Sequence, residues 1–165
     1  MSDKGRAWMF GDDISTDLIF PGRYVHLLSN MPELVQHTLE DARTDYASGV
    51  KPGDFVVAGS NFGMGSSREQ AAVIIKLTGV RAVLAKSFAR IFFRNSINNG
   101  LPVIEVDTDG IEEGDDLSVD FAKGVLSNHT RGFERKFEPL PEIMTKILAD
   151  GGLVAHIQKH GDFGL

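Results

Sequence analysis

The chain of 165 residues contains no cysteine. That absence excludes disulfides, and with them any thiolate ligation of zinc or of an iron–sulfur cluster by this chain. No apolar run approaches the roughly 20 residues that a membrane-spanning helix needs. Met1-Ser2-Asp3-Lys4-Gly5-Arg6 also lacks the apolar stretch of a signal peptide, so a cytoplasmic protein without membrane contact is expected. Positive charge is short as well: 17 Lys and Arg against 23 Asp and Glu give a formal net charge of −6. A general nucleic-acid binder wants a basic face, and this balance argues against one. What remains is an ordinary globular composition, long enough for one domain over residues 1–165 with its own core.

Against that background one stretch stands out, Gly59-Ser60-Asn61-Phe62-Gly63-Met64-Gly65-Ser66-Ser67-Arg68-Glu69-Gln70. The run Asp54 to Ala58 before it has strand character, and an amphipathic helical pattern runs from Arg68 to about Leu77. Strand, glycine turn and helix N-terminus leave backbone N–H groups aimed at whatever sits above the turn. Two hydroxyls and a guanidinium stand at the same spot, so an anionic guest is expected. The run has neither the lysine of a nucleotide P-loop nor the Gly-x-Gly-x-x-Gly spacing of a dinucleotide fold. It offers Gly63 and Gly65 for close backbone approach, and a serine that amides and a cation would polarise toward its anion. The competing reading makes Ser66 a helix cap with Glu69 as its capping-box partner.

Elsewhere, strand signals fall at Ala7 to Phe10, Ala82 to Ala85 and Leu101 to Val106. Pro32 to Leu39 reads as a short helix with proline in its first turn, and Ser87 as the cap of a helix ending near Asn98-Asn99-Gly100. Asp116 to Ala122 and Gly124 to Phe137 alternate like a meander turning near Gly124 and Asn128-His129. A last helix opens at Pro139 to Glu142, runs through Ala149 and stops at Gly151-Gly152, leaving His160 to Leu165 as a loose tail. This order predicts a mixed α/β core with an antiparallel appendage. Asp107, Asp109, Glu112, Glu113, Asp115 and Asp116 read as a solvated acidic turn, and the histidines outside position 26 as scattered without metal-ligand spacing, so no metal is assigned.

Several motifs in order resemble the small-subunit or swivelling domain of the aconitase superfamily: Gly11 to Ile19, Pro21 to Tyr24, Gly59 to Gln70, Lys86 to Ile91 with Asn95, and Gly151-Gly152-Leu153. The compact length is similar to the short small subunits of 3-isopropylmalate dehydratase and homoaconitase. The resemblance implies an α/β fold, a three-layer β/β/α swivelling domain. It also implies a hydro-lyase that removes water from a malate-like hydroxy acid and re-adds it at the neighbouring carbon. Carried over by position, Ser66 is the catalytic base, while Ser67, Arg68 and Asp17 bind substrate. A [4Fe–4S] cluster is then expected on a separate large subunit, in a heterodimer or heterotetramer, with the isolated chain inactive and open to homo-oligomerisation.

In this family the residues after the Arg-Tyr pair meet the variable end of the substrate, and arginine there suits a second distal carboxylate. This chain has Tyr24-Val25-His26-Leu27-Leu28, with His26 at the arginine position. Val25, Leu27 and Leu28 suit an isopropyl group, since a buried methylene is worth roughly 0.8 kcal/mol. The expected reaction is therefore interconversion of 2- and 3-isopropylmalate in leucine synthesis. Dimethylmalate, citramalate or homoaconitate chemistry, and a non-catalytic anion-binding module, are the alternatives. Arg23 is left between substrate and an acidic neighbour, and Arg90 and Arg94, four apart, between site support and subunit contact.

Overall fold

The computed structural model describes residues 3–161. In chain order the strands are β1 (Gly5–Met9), β2 (Phe55–Ala58), β3 (Ala82–Ala85), β4 (Val103–Glu105), β5 (Asp116–Asp120), β6 (Val125–Asn128) and β7 (Phe133–Lys136). The helices are α1 (Thr16–Ile19), α2 (Met31–Val35), α3 (Tyr46–Gly49), α4 (Glu69–Leu77), α5 (Arg90–Asn98), α6 (Glu142–Ala149) and α7 (Leu153–His160). A 3-10 helix over Gly22–Leu27 follows α1.

One sheet runs β4-β3-β2-β1-β5-β6-β7. Its first four strands are parallel; β5 joins β1 antiparallel and continues as the β5-β6-β7 meander. β2 and β3 are buried at every residue, as parallel strands covered on both faces must be. Their alternation sorts side chains into two cores. Val56, Ala58, Val83, Ala85 and Val103 face Ile74, Ile75, Phe92, Ile97 and Leu101 on the helical side. Phe55, Val57, Ala82, Leu84 and Ile104 face Leu117 and Leu126 of the meander. Helices, parallel strands and meander thus form the expected β/β/α layers.

Four local expectations change. α2 ends at Val35, four residues short of Leu39, and its cap is Asn30, whose side chain accepts from Glu33 N. Ser87 does not cap α5; Ala89 occupies that position and the Ser87 hydroxyl accepts from Asn61 N at 2.8 Å. A seventh helix follows Gly152, whose φ of 131° and close packing on the Asn98 carbonyl fit only glycine. His160 ends that helix and Gly161 caps it at φ 77°, so the expected loose tail begins later than read, and residues 162–165 lie outside the described residues.

The acidic turn is not merely solvated. Asp115 is 2% exposed and accepts from Glu112 N, Asn128 Nδ2 and Arg131 Nε. These donors hold its carboxyl below the usual range although burial works the other way. Glu113 accepts from Met9 N and Arg43, Lys86 pairs with Asp109, and Arg135 lies 3.5 Å from Asp107. The stretch pins the meander to the parallel layer.

Candidate active site

β2 delivers the chain into the turn over residues 59–68, and backbone bonds fix that turn from both sides. Ser60 N donates to Asp12 Oδ1 at 2.7 Å, Gly63 N to the Ile14 carbonyl at 2.7 Å, and Thr16 N to the Met64 carbonyl at 2.9 Å. The Thr16 hydroxyl donates to the Ser66 carbonyl at 2.8 Å. Two glycines explain the local sequence. At Gly63, φ 85°, a Cβ would sit 2.2 Å from Phe92 Cγ, so this glycine admits a core ring rather than a ligand. At Gly65, φ 99°, the nearest atom is 3.6 Å away, and the backbone lies open as expected.

Ser66 and Ser67 are exposed, and neither hydroxyl has a hydrogen-bond partner among the described residues. The capping-box reading fails: Arg68, extended at φ −124°, ψ 101°, is the N-cap of α4, without a side-chain cap. Ala71 N donates to the Arg68 carbonyl at 3.1 Å, while the Glu69 and Gln70 amides keep their donor capacity. The Arg68 guanidinium lies 2.8 Å from Asp17 Oδ1 and donates to the Phe20 carbonyl at 2.9 Å. The start of the 3-10 helix abuts it, a Cβ on Gly22 falling 3.6 Å from both terminal nitrogens.

A pocket of about 200 Å³ opens on this turn. Thr16, Gly65, Ser66, Ser67 and Arg68 line one side, and Ala89 to Phe92 with Asn95 line the other. α5 begins at Arg90, also without a side-chain cap or an acid in its first turn. Two helix N-termini, the two unpartnered hydroxyls of Ser66 and Ser67, and two guanidiniums converge on one cavity whose lining contains no carboxylate, in a chain of net charge −6. The arrangement can bind an anion and can hold a proton acceptor beside it.

The structure thus brings Ser66, Ser67, Arg68 and, through its ion pair, Asp17 together. Val25, His26, Leu27 and Leu28 do not line this pocket. Val25 is 58% exposed, Leu28 38%, and His26 is exposed too, whereas Leu27 turns into the helical core at 9%. Arg23 lies outside the pocket lining and pairs with acidic neighbours: it grips Asp41 through both terminal nitrogens at 2.6 and 2.8 Å and reaches Glu40 at 2.8 Å. The Tyr24 hydroxyl donates to Glu40 at 2.5 Å, and the Tyr24 ring stacks on His37 at 3.9 Å. The Tyr24 hydroxyl first, then His37, lowers the Glu40 carboxyl to about 2. This network, which anchors the 3-10 helix, and Thr16 escaped the sequence reading; Thr16 stands between two residues of the quoted Gly11 to Ile19 motif.

The histidines are less scattered than their spacing suggested. His156 and His160, one helical turn apart on α7, both reach Asp150, at 2.6 and 3.0 Å, with ligand atoms within 4.8 Å of one another. Lys159 lies on the same carboxylate at 3.1 Å. The three side chains bind both oxygens of Asp150, Lys159 on Oδ1 and the two histidines on Oδ2, and so clasp the C-terminus of α6 to α7. His156, then Lys159, draws the Asp150 carboxyl down to about 2.

The parallel layer, the meander over one face and the open Ser-Ser-Arg turn together define an aconitase-like swivelling domain. Residues 17–109 match the aconitase C-terminal domain family. The chain is 62% identical to 3-isopropylmalate dehydratase small subunit 2 of Archaeoglobus fulgidus, over 98% of both chains. It is 56% identical to 3-isopropylmalate dehydratase small subunit 1 of Thermotoga maritima, over 97% of each. The methanogen homoaconitase small subunit of Methanothermobacter thermautotrophicus shares 51% over 98% of this chain and 94% of that protein. The crystal structure of 3-isopropylmalate dehydratase from Methanocaldococcus jannaschii superposes with a TM-score of 0.92 at 45% identity, covering 98% of this chain and 96% of that one. This chain belongs to the aconitase C-terminal domain family, in its branch of dehydratase small subunits. No described helix is long and apolar enough to cross a membrane.

Proposed function

We propose that this chain is the small subunit of a 3-isopropylmalate dehydratase, active only when a large subunit closes over the Ser66 pocket. The observation that carries the reading is Ser66 itself. Its hydroxyl is exposed and unpartnered on a glycine turn whose amides, with Arg68, favour the anion. As a general base it takes the proton from the carbon next to the one that loses hydroxide. Arg68 orients a substrate carboxylate through its planar fork and exchanges Asp17 for that partner on binding. Ser67 hydrogen-bonds beside them.

A chain without cysteine offers a [4Fe–4S] cluster no thiolate, so these residues do not hold it. Held by the large subunit, the cluster supplies a Lewis acid for the departing hydroxyl. Val25 and Leu28, exposed on and just after the 3-10 helix, favour an isopropyl tail. The exposed, polar His26 between them supports homoaconitate as the second reading, as does the relative that carries that name.

The test is anaerobic reconstitution with the cognate large subunit, followed by parallel hydration of isopropylmaleate, dimethylmaleate, citraconate and cis-homoaconitate. Preference for isopropylmaleate is expected, with no turnover by either subunit alone. Preference for cis-homoaconitate would transfer the assignment to the second reading, and preference for a smaller alkene would refute both.

A further inference from the structure

Arg90 is the second guanidinium of the Ser66 pocket, and the reaction chemistry has not used it. It occupies the first position of α5, is exposed, and lines the pocket opposite Ser66, Ser67 and Arg68. Among the described residues it has no ion-pair partner, unlike Arg23, Arg43, Arg68 and Arg131, each of which holds a carboxylate. The position is electrostatically adverse. A helix N-terminus carries partial positive charge, and α5 has neither a side-chain cap nor an acidic residue in its first turn to offset the arginine. A cation placed there without an acid leaves positive potential in the pocket for an anionic guest to neutralise.

Arg68 carries one positive charge and cannot neutralise a dianion by itself, even when it gives up Asp17, its 2.8 Å partner in the free chain. A 2-hydroxy diacid brings two carboxylates. We infer that Arg90, with the free amides at the start of α5, binds the second carboxylate of a 2-hydroxy diacid while Arg68 binds the first. The inference rests on the proposed hydro-lyase reading and adds a substrate-binding residue to it. Arg94, one turn further along α5, lies outside the pocket lining and is likewise without an ion-pair partner among the described residues, which makes it the matched control.

The experiment compares Arg90→Gln, Arg90→Lys and Arg94→Gln, each reconstituted with saturating large subunit. Loss of a charge-assisted pair to one carboxylate is expected to raise KM about 10- to 100-fold in Arg90→Gln, with kcat within about threefold. Arg90→Lys should recover part of that loss, since the point charge remains without the fork. Inhibition by malate should weaken by the same factor while inhibition by lactate, which has a single carboxylate, should not. A KM within about twofold of the parent would overturn the assignment. So would an equal effect in Arg94→Gln, or a defect that disappears as more large subunit is added, which would make Arg90 a docking residue. Parent enzyme inert toward every alkene would remove the hydro-lyase reading and this one together; an active parent with an indifferent Arg90→Gln removes this one alone.

Discussion

Gly63 and Gly65 stand two residues apart in one turn, both left-handed, and the structure assigns them different reasons for being glycine. Replacing either by alanine incurs the backbone cost of an L-residue at positive φ, about 1–2 kcal/mol. At Gly65 nothing else is lost, because the new methyl meets no atom nearer than 3.6 Å. At Gly63 it would overlap the Phe92 ring, with Cγ at 2.2 Å, Cβ at 2.4 Å and Cδ1 at 2.7 Å. Phe92 is 2% exposed, packed edge-on against Phe62 at 5.3 Å and stacked on Phe88 at 6.2 Å, so it can make way only by giving up those ring contacts and shifting toward the pocket it lines. Overpacking of that kind adds about 1–3 kcal/mol. Gly63→Ala should therefore cost about 2–5 kcal/mol in all, against about 1–2 for Gly65→Ala. With the shift of roughly 2–4 °C per kcal/mol usual at this chain length, the two melting temperatures should separate visibly. Urea unfolding of the isolated chain, followed by circular dichroism, measures both costs. Equal losses would refute the claim that Gly63 exists to admit Phe92; a near-neutral Gly65→Ala would refute the strained turn.

Three further outcomes follow from the site. Ser66→Ala should lower turnover of the reconstituted enzyme by at least the roughly 10²–10⁴-fold that a general base contributes, with subunit association and melting temperature unchanged; near-normal activity would remove Ser66 from the chemistry. His26→Arg should move relative rates toward cis-homoaconitate, and an unchanged ratio would mean that the 3-10 helix does not read the substrate tail. The Glu40 carboxyl is held at about 2 against an ordinary 4.5, so its contribution is complete above about pH 4.5 and is lost as pH falls through about 2. Tyr24→Phe removes the largest cause of that depression, and its stability should change less with pH across this window than the parent's in acid titrations. Parallel curves would show that the Tyr24–Glu40 bond does not anchor the loop.

What could be read from the chain ahead of its structure depended on how far apart the interacting residues lie. β2, β3, the Gly59–Arg68 turn and α4 carry their signals within a few residues: wholly apolar runs, alternating glycines, helical periodicity. The expected boundaries there match within a residue. Errors gather where a distant partner outbids a local propensity. Ser87 is a good cap by type, yet its hydroxyl serves Asn61, 26 residues earlier. Asp115 looks like surface until Asn128 and Arg131 arrive from the meander. His156 and His160 gain meaning only with Asp150 across the Gly151-Gly152 corner, which stops α6 as read and turns the chain into the unforeseen α7. The same principle orders the site. Ser66, Ser67 and Arg68 are contiguous and were legible as a group. Asp17 reaches them across 51 positions and Arg90 from 22 positions away, and no periodicity encodes those distances. Contiguity pointed to Ser66 as the proposed proton acceptor; only the packing of α5 against α4 makes the pocket cationic on both walls. On the proposal made for Arg90, recognition of a diacid depends on the fold, while the serine turn, taken alone, would accept any anion.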